Sequence, residues 1–147
     1  MKSAVWYATS CVAAALLLIT GSANADKMRP GYKSYSAPHG LNANANCRRP
    51  HFNICQGCNV AIRMGVLQDH GCGMNFATMG PFAGQEVTSP PRNGSYSLVN
   101  ATTAVYRPAA GYIGPDHFEA RLYFENDTGK RTYLNLAVNV RVVPHFR

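Results

Sequence analysis

Four cysteines near the middle of the chain are the residues best suited to chemistry. Cys55 and Cys58 have the C-x-x-C spacing of redox pairs and metal sites, and Cys47 and Cys72 lie on either side of them. One hypothesis is a zinc site, whose ligands would be drawn from Cys47, Cys55, Cys58, Cys72, His51 and His70. A redox enzyme is another hypothesis, although the alternating strand and helix pattern expected around such a site is missing from the sequence.

Disulfide bonds are the third interpretation of these cysteines, and the one that we favour. The fifth cysteine, Cys11, lies in a leader segment, so an even number remains in the mature chain. Four cysteines in an oxidising compartment form two disulfides, with three possible connectivities. We expect the pairs Cys58–Cys72 and Cys47–Cys55, because both close short local loops.

The first 25 residues have the three parts of a secretory signal peptide. Lys2 supplies the positive charge, residues 12–19 form an apolar run, and residues 23–25 read Ala-Asn-Ala, a small-residue cleavage motif. The apolar run is shorter than the roughly 20 residues that a membrane-spanning helix needs. We therefore predict an exported protein, periplasmic or extracellular, with no membrane span in the mature chain.

The mature chain is basic. The whole sequence has 14 Lys and Arg against 7 Asp and Glu, and Lys2 is the only charge in the leader, which leaves a net charge of +6. Such a protein is attracted to anionic polymers of the cell envelope, and a protein partner is a further candidate. The basic residues form no dense stripe with interleaved aromatics, so we do not expect nucleic acid as a partner. The tyrosines that we expect to be exposed for contacts are Tyr32, Tyr35, Tyr112, Tyr123 and Tyr133.

The remaining chain divides into a lead-in and one domain. Residues 26–46 are rich in Gly, Ser, Ala and Asn with almost no aliphatic residues, which predicts a flexible segment. Residues 47–147 alternate apolar and polar residues, as strands with one buried face do. The clearest strand places every second residue from Leu134 to Val142 inward. Cys58 and the residues after it alternate likewise, turn at residues 68–71 and resume at Cys72 as a hairpin-like unit.

About seven short strands in some hundred residues, with frequent turn signals, predict the fold class. It is all-β, an antiparallel β-sandwich in a single domain with two disulfides. No stretch of the mature region has the periodicity of an amphipathic helix.

Two motifs in the C-terminal half carry a resemblance to a known family. They are Asn93-Gly-Ser-Tyr96 and Tyr106-x-Pro-x-x-Gly-Tyr-x-Gly-x-Asp-x-Phe118, and a valine-rich final strand follows them. Together they resemble the second half of the Ig-like and cadherin-like repeats of exported bacterial proteins. The resemblance covers roughly residues 85–143 and implies an Ig-like β-sandwich, but it implies no particular activity. The cysteine-rich half departs from the repeat and is similar to small exported proteins of unknown role.

Cadherin-like domains imply calcium, which requires several converging oxygen ligands. The carboxylates near residues 106–118 are Asp116, Glu119, Glu125 and Asp127, and no Asp-x-Asp run occurs. We therefore predict no calcium site. We expect Asp116 to accept hydrogen bonds from backbone N–H groups in its own turn.

Catalysis has no sequence signature here. Asp116 and His117 resemble a base with its orienting acid, but adjacent residues of an extended segment point to opposite faces. The sequence contains no Gly-x-Ser-x-Gly, no His-Glu-x-x-His and no phosphate-binding glycine loop. We predict no catalytic residue and no cofactor. The expected function is that of a non-enzymatic binding or structural module at the cell envelope, with a hydrolase as a remote alternative.

Overall fold

A computed structural model describes residues 33–35, 46–50 and 55–147. The described residues contain nine strands and one turn of 3-10 helix at Ala77–Met79. The strands are β1 (Lys33–Tyr35), β2 (Cys47–Arg48), β3 (Asn59–Leu67), β4 (Cys72–Asn75), β5 (Phe82–Ser89), β6 (Gly94–Leu98), β7 (Thr103–Pro108), β8 (Gly114–Glu125) and β9 (Arg131–Val143). The predicted signal peptide lies outside the described residues. The fold is all-β, as the alternation of the sequence predicted.

The strands form two sheets. The larger has the order β1-β3-β9-β8-β5, with β2 also paired to β3, and the smaller has the order β4-β7-β6. The longest pairing joins β8 to β9 in antiparallel register from Gly114 opposite Val142 to Glu125 opposite Arg131. The turn between them is held by the Asn126 side-chain oxygen, which accepts hydrogen bonds from the backbone N–H groups of Thr128 and Lys130.

One core lies between the two sheets. The inward residues of β9 predicted from the sequence, from Leu134 to Val142, are buried. They meet Met74 and Phe76, which are also buried, on the side of the smaller sheet. Aromatic rings join the sheets directly, since Phe118 stacks on Tyr96 with ring centroids 4.2 Å apart and lies 5.7 Å from Tyr106.

The pairing differs from the prediction in two respects. The larger sheet is mixed rather than antiparallel, because β3 pairs with β9 in parallel, as β1 does with β3. The prediction that the strands beginning near Cys58 and at Cys72 form a hairpin-like unit is also wrong, because these strands, β3 and β4, belong to different sheets. Alternation reveals which face of a strand is buried, but it carries no information about the partner strand or its direction.

No helix among the described residues is long and apolar enough to cross a membrane.

β1 lies within residues 26–46, which were predicted as a flexible lead-in, and it pairs with Val60, Ala61 and Ile62 of β3. The described part of that segment therefore includes one short strand.

Candidate functional site

The four cysteines form two disulfides, as predicted, but the predicted connectivity is wrong. Cys47 bonds Cys72 with a Cα–Cα distance of 5.3 Å, and Cys55 bonds Cys58 with a Cα–Cα distance of 5.5 Å. Cys58 precedes β3 and Cys72 follows it. A nine-residue strand spans roughly 30 Å at about 3.3 Å per residue, so it holds these two cysteines apart. The length of β3 is therefore the physical reason why the predicted pair Cys58–Cys72 does not form.

The two disulfides differ in position and burial. Cys47 in β2 and Cys72 in β4 are 1% and 0% exposed, so their bond crosses the core and joins the two sheets. Cys55 and Cys58 are partly exposed and lie outside the strands. By the chain-entropy estimate, Cys47–Cys72, which closes the longer loop, stabilises the fold by about 3–4 kcal/mol. Cys55–Cys58, which closes the shorter loop, stabilises it by about 2 kcal/mol.

The zinc hypothesis loses its ligands in this arrangement. A disulfide sulfur offers no thiolate to a metal, and the described residues hold no group of three or more His, Cys, Asp and Glu that could bind one. The His70 ring nitrogen Nδ1 lies 2.7 Å from the Gln68 carbonyl oxygen. His51 lies outside the described residues.

Residues 106–118 form a corner between two strands, with β7 ending at Pro108 and β8 beginning at Gly114. The buried Asp116 carboxylate accepts hydrogen bonds from the backbone N–H groups of Arg92, Asn93 and His117, at 3.0, 3.1 and 2.9 Å. Asp116 therefore accepts backbone hydrogen bonds as predicted, but only the His117 N–H is close to it in the chain. Two of its partners, Arg92 and Asn93, belong to the loop between β5 and β6, so Asp116 also fixes that loop.

Asp116 has a fourth partner within the core. The Tyr106 hydroxyl donates to it at 2.8 Å. Burial raises the pKa of Tyr106 well above its ordinary value, and the hydrogen bond to Asp116 raises it further. The carboxylate thus binds three backbone groups and a phenol, which is a structural arrangement rather than that of a general base.

His117 points to the opposite side of β8, as the extended backbone requires. Its Nδ1 lies 2.9 Å from the Asn139 side-chain oxygen and its Nε2 lies 3.2 Å from Glu119 Oε1. Asp116 and His117 therefore do not form a base with its orienting acid. Glu119 lies on the same outer face as His117, but it is only 9% exposed.

A second row of polar contacts crosses the outer face of the larger sheet. Arg121 Nε donates to the Asn135 side-chain oxygen at 2.9 Å, and Asn135 donates to Asn59 at 2.8 Å. The Arg121 guanidinium also lies 5.2 Å from the centre of the Tyr133 ring, which is 44% exposed. These bonds connect β3, β9 and β8 side by side, so this part of the face is a hydrogen-bonded polar surface.

Three exposed arginines lie together at the other end of this face. The arginine cluster consists of Arg48 of β2, Arg63 of β3 and Arg141 of β9. Gly65 is paired with both Arg48 and Arg141, and Arg63 is two residues before Gly65, so all three side chains leave the same face. With strands about 4.8 Å apart, their Cβ atoms lie within about 10 Å of one another.

Arg48 is held in place within this cluster. Its guanidinium lies 4.4 Å from the centre of the Phe146 ring, and its NH1 donates to the Arg147 carbonyl at 3.1 Å. The ion pairs between described residues join His117 to Glu119 and Arg131 to Glu125, and neither includes Arg48 or Arg141. The cluster is not recognisable in the sequence, because its members are 15 and 78 residues apart in the chain. Each arginine lies at an outward-facing position of its strand. The cluster could have been predicted from these positions only if the strand pairing had been known.

A shallow depression of about 270 Å³ lies at the same end of the fold as the corner. It is lined by Asp69, His70, Arg107, Pro108 and Ala110. Asp69 accepts a hydrogen bond from the backbone N–H of Gly111 at 2.7 Å, so its carboxylate joins the turn after β3 to the corner. This role is structural.

The predicted contact tyrosines differ in their surroundings. Tyr112 and Tyr123 are partly buried, with the Tyr112 hydroxyl donating to the Pro115 carbonyl and the Tyr123 hydroxyl donating to Glu86. Tyr133 is exposed. Tyr32 lies outside the described residues, and Tyr35 is described only as part of β1.

Comparisons with known proteins add little. No family model matches the chain, and no curated protein matches it. One of the solved structures that it matches is an endo-fucoidan hydrolase of glycoside hydrolase family 107, at 11% identity and a TM-score of 0.35. The match covers 71% of this chain and 15% of the hydrolase chain. A likeness of this degree carries no argument about function.

Proposed function

We propose that this chain is an exported, non-enzymatic β-sandwich of the Ig-like type that binds an anionic polymer of the cell envelope. The observation that carries the proposal is the arginine cluster, Arg48, Arg63 and Arg141, on the outer face of the larger sheet. Three positive charges on a firm sheet form an anion-binding surface whose geometry is set by strand register.

The strand order supports the Ig-like part of the proposal. From β3 onward, seven strands form the sheets β3-β9-β8-β5 and β4-β7-β6. In the Ig arrangement the second, fourth and fifth strands share one sheet, and the third, sixth and seventh share the other. β4, β6 and β7 correspond to the first group, and β5, β8 and β9 to the second. The one departure is that β3 pairs with the last strand rather than with the second.

Export is supported by the cysteines. Disulfides persist in oxidising compartments and are rare in the reducing cytosol. Both disulfides here, one of them buried between the sheets, indicate an oxidising environment. A signal peptide at residues 1–25 would place the chain there.

An extended polymer suits the cluster better than a small anion. The three arginines are spread across neighbouring strands rather than gathered around a cavity, and all are exposed. Arginine presents several donors in a planar fork, a geometry that suits carboxylate, phosphate and sulfate groups. Successive charged groups of a linear polymer lying across the sheet would occupy them together.

Binding to dextran sulfate tests the proposal, with uncharged dextran as the negative control. Replacing Arg48, Arg63 and Arg141 together by Gln should weaken binding at low salt by about tenfold or more, because each exposed contact contributes up to about 1 kcal/mol. The matched control replaces Arg92, Arg107 and Lys130, which are exposed elsewhere, by Gln. It removes the same net charge and should change the affinity by less than about threefold.

Two outcomes would contradict the proposal. If both triple variants lose the same affinity, binding reflects net charge and not the cluster. If the unmodified chain does not bind dextran sulfate at low salt, the polyanion itself is the wrong ligand.

A further inference from the structure

The two disulfides of this protein do not serve the same purpose. Cys47–Cys72 is fully buried and joins the sheets. Cys55–Cys58 encloses only Gln56 and Gly57, both exposed, and its two cysteines are themselves partly exposed. A disulfide that closes so short a loop restricts the unfolded chain little, so its contribution to stability is the smaller one.

Two backbone hydrogen bonds hold the Cys55–Cys58 loop in addition to its disulfide. The Gly57 N–H donates to the Tyr133 carbonyl at 2.9 Å, and the Cys58 carbonyl accepts from the Asn135 N–H at 2.9 Å. These bonds attach the loop to the beginning of β9. These backbone bonds do not depend on the S–S bond, so breaking it leaves them in place, although Cys55 and Cys58 also pack partly against the core.

The described residues do not crowd this loop at Gly57. A Cβ atom built on Gly57 would have no atom of the described residues within 4 Å. Gly57 also has φ +67°, a left-handed conformation that suits glycine, and this allows the tight turn between the two cysteines.

We propose that Cys55–Cys58 is a site of thiol–disulfide exchange with a dithiol of another exported polypeptide, and that Cys47–Cys72 is not. Exposure and access determine which disulfides exchange, and C-x-x-C is the spacing at which both cysteines of a pair can take part in turn. The proposal is independent of the arginine cluster, which lies at the opposite end of β3.

The exchange balances as two successive displacements. A thiolate of the partner attacks one sulfur of Cys55–Cys58, forms a mixed disulfide and releases the other cysteine as a thiolate. The partner's second thiolate then attacks the partner sulfur of the mixed disulfide and releases the remaining cysteine. The partner is oxidised by two electrons to a disulfide, Cys55 and Cys58 are reduced, and the two protons lost by the partner's thiols pass through solvent to the two cysteines.

The first experiment measures the reduction of each disulfide in the folded chain. The full chain is exposed to graded dithiothreitol without denaturant, quenched with an alkylating reagent and analysed by peptide mass spectrometry. Cys55–Cys58 should be reduced at least about tenfold faster than Cys47–Cys72, since access limits the attack. Reduction of both pairs at one common rate would overturn the proposal, because it would mean that exchange requires global unfolding.

The second experiment tests transfer to a polypeptide. A reduced peptide with two cysteines is mixed with the oxidised chain, and peptide oxidation should equal, mole for mole, the loss of Cys55–Cys58. A Cys58→Ser variant should trap a mixed disulfide through Cys55 when it is mixed with an oxidised form of the peptide. The double variant Cys55→Ser/Cys58→Ser should oxidise no peptide while keeping the near-ultraviolet circular dichroism of the parent. Peptide oxidation by the double variant equal to that by the parent would overturn the proposal.

Discussion

Tyr106 and Asp116 form a hydrogen bond inside the core, and this pair connects three parts of the fold. Tyr106 belongs to β7 in the smaller sheet, Asp116 belongs to β8 in the larger sheet, and Asp116 also binds the loop before β6. A buried polar group is costly unless it is hydrogen-bonded, and among the described residues no buried side-chain nitrogen or oxygen lacks a partner. The conformation of the corner at residues 106–118 is thus held by the Asp116 carboxylate, which accepts hydrogen bonds from four donors.

Alkaline pH should destabilise the protein through Tyr106. Burial, followed by the hydrogen bond to Asp116, raises the pKa of Tyr106 in the folded state above the ordinary value of about 10. Above about pH 10 the Tyr106 hydroxyl loses its proton in the unfolded chain but keeps it in the folded chain. The contribution of Tyr106 to the free energy of unfolding is therefore complete below that pH and decreases as the pH rises. Urea midpoints measured from about pH 8 to about pH 11 should show this decline.

The Tyr106→Phe variant is the matching control. It should be less stable at neutral pH by about 1 kcal/mol, because a hydrogen bond is lost, and its alkaline decline should be shallower. Some decline should persist, since burial also raises the pKa of Tyr96. An alkaline slope identical to that of the parent would show that Tyr106 does not titrate differently on folding.

Phe118→Ala should lower the free energy of unfolding by about 3–5 kcal/mol. The ring is fully buried and stacks on rings of the smaller sheet, so its removal leaves a cavity between the sheets. His117→Ala serves as the neighbouring control and should cost about 1 kcal/mol or less, because its side chain is 36% exposed. Denaturant unfolding measures both, and a larger loss for His117→Ala would contradict this assignment of the corner.

At the scale of the elements, the hairpin of β6 and β7 requires a glycine where it meets the core. Gly94 pairs with Pro108, and a Cβ at Gly94 would collide with the Arg107 carbonyl oxygen and lie 3.0 Å from the Tyr106 ring. Backbone and a buried ring cannot move aside easily. Close packing against Arg107 and Tyr106 is therefore the physical reason for a glycine at this position.

Gly94→Ala should destabilise the protein by about 1–3 kcal/mol through this overpacking. Gly73→Ala in β4 is the control, since the nearest atom to its added Cβ lies 3.9 Å away, an ordinary contact. The control should change the free energy of unfolding by less than about 0.5 kcal/mol. Thermal or urea unfolding distinguishes the two, and equal effects would refute the steric argument.

For the whole molecule, the shared core predicts a single cooperative unfolding transition. Both sheets contribute buried residues to one cluster, and Cys47–Cys72 joins them covalently. Neither sheet has a separate core that could remain folded alone. Trp6 is the chain's one tryptophan and lies in the predicted leader, so tyrosine fluorescence can report on the mature domain. Urea transitions followed by fluorescence and far-ultraviolet circular dichroism should coincide, and two separate midpoints would disprove the prediction of a single domain.

The sequence by itself determined the local properties of this protein. The all-β class and the inward face of β9 follow from periodicity along the chain. The hydrogen bond from the His117 N–H to Asp116 is local as well, whereas the bonds from Arg92 and Asn93 come from a distant loop. The opposite orientations of Asp116 and His117 also follow, because alternation in an extended chain is a local rule.

The tertiary structure decided everything that depends on distant residues meeting. The parallel pairing of β3 with β9, the bonds Cys47–Cys72 and Cys55–Cys58, and the meeting of Arg48, Arg63 and Arg141 each require partners that no local pattern specifies. Strand alternation is the same whichever strand lies alongside, and a cysteine pairs with whichever cysteine the fold brings within reach. The two proposed sites differ accordingly, since C-x-x-C was visible in the sequence whereas the arginine cluster exists only once the strands are paired.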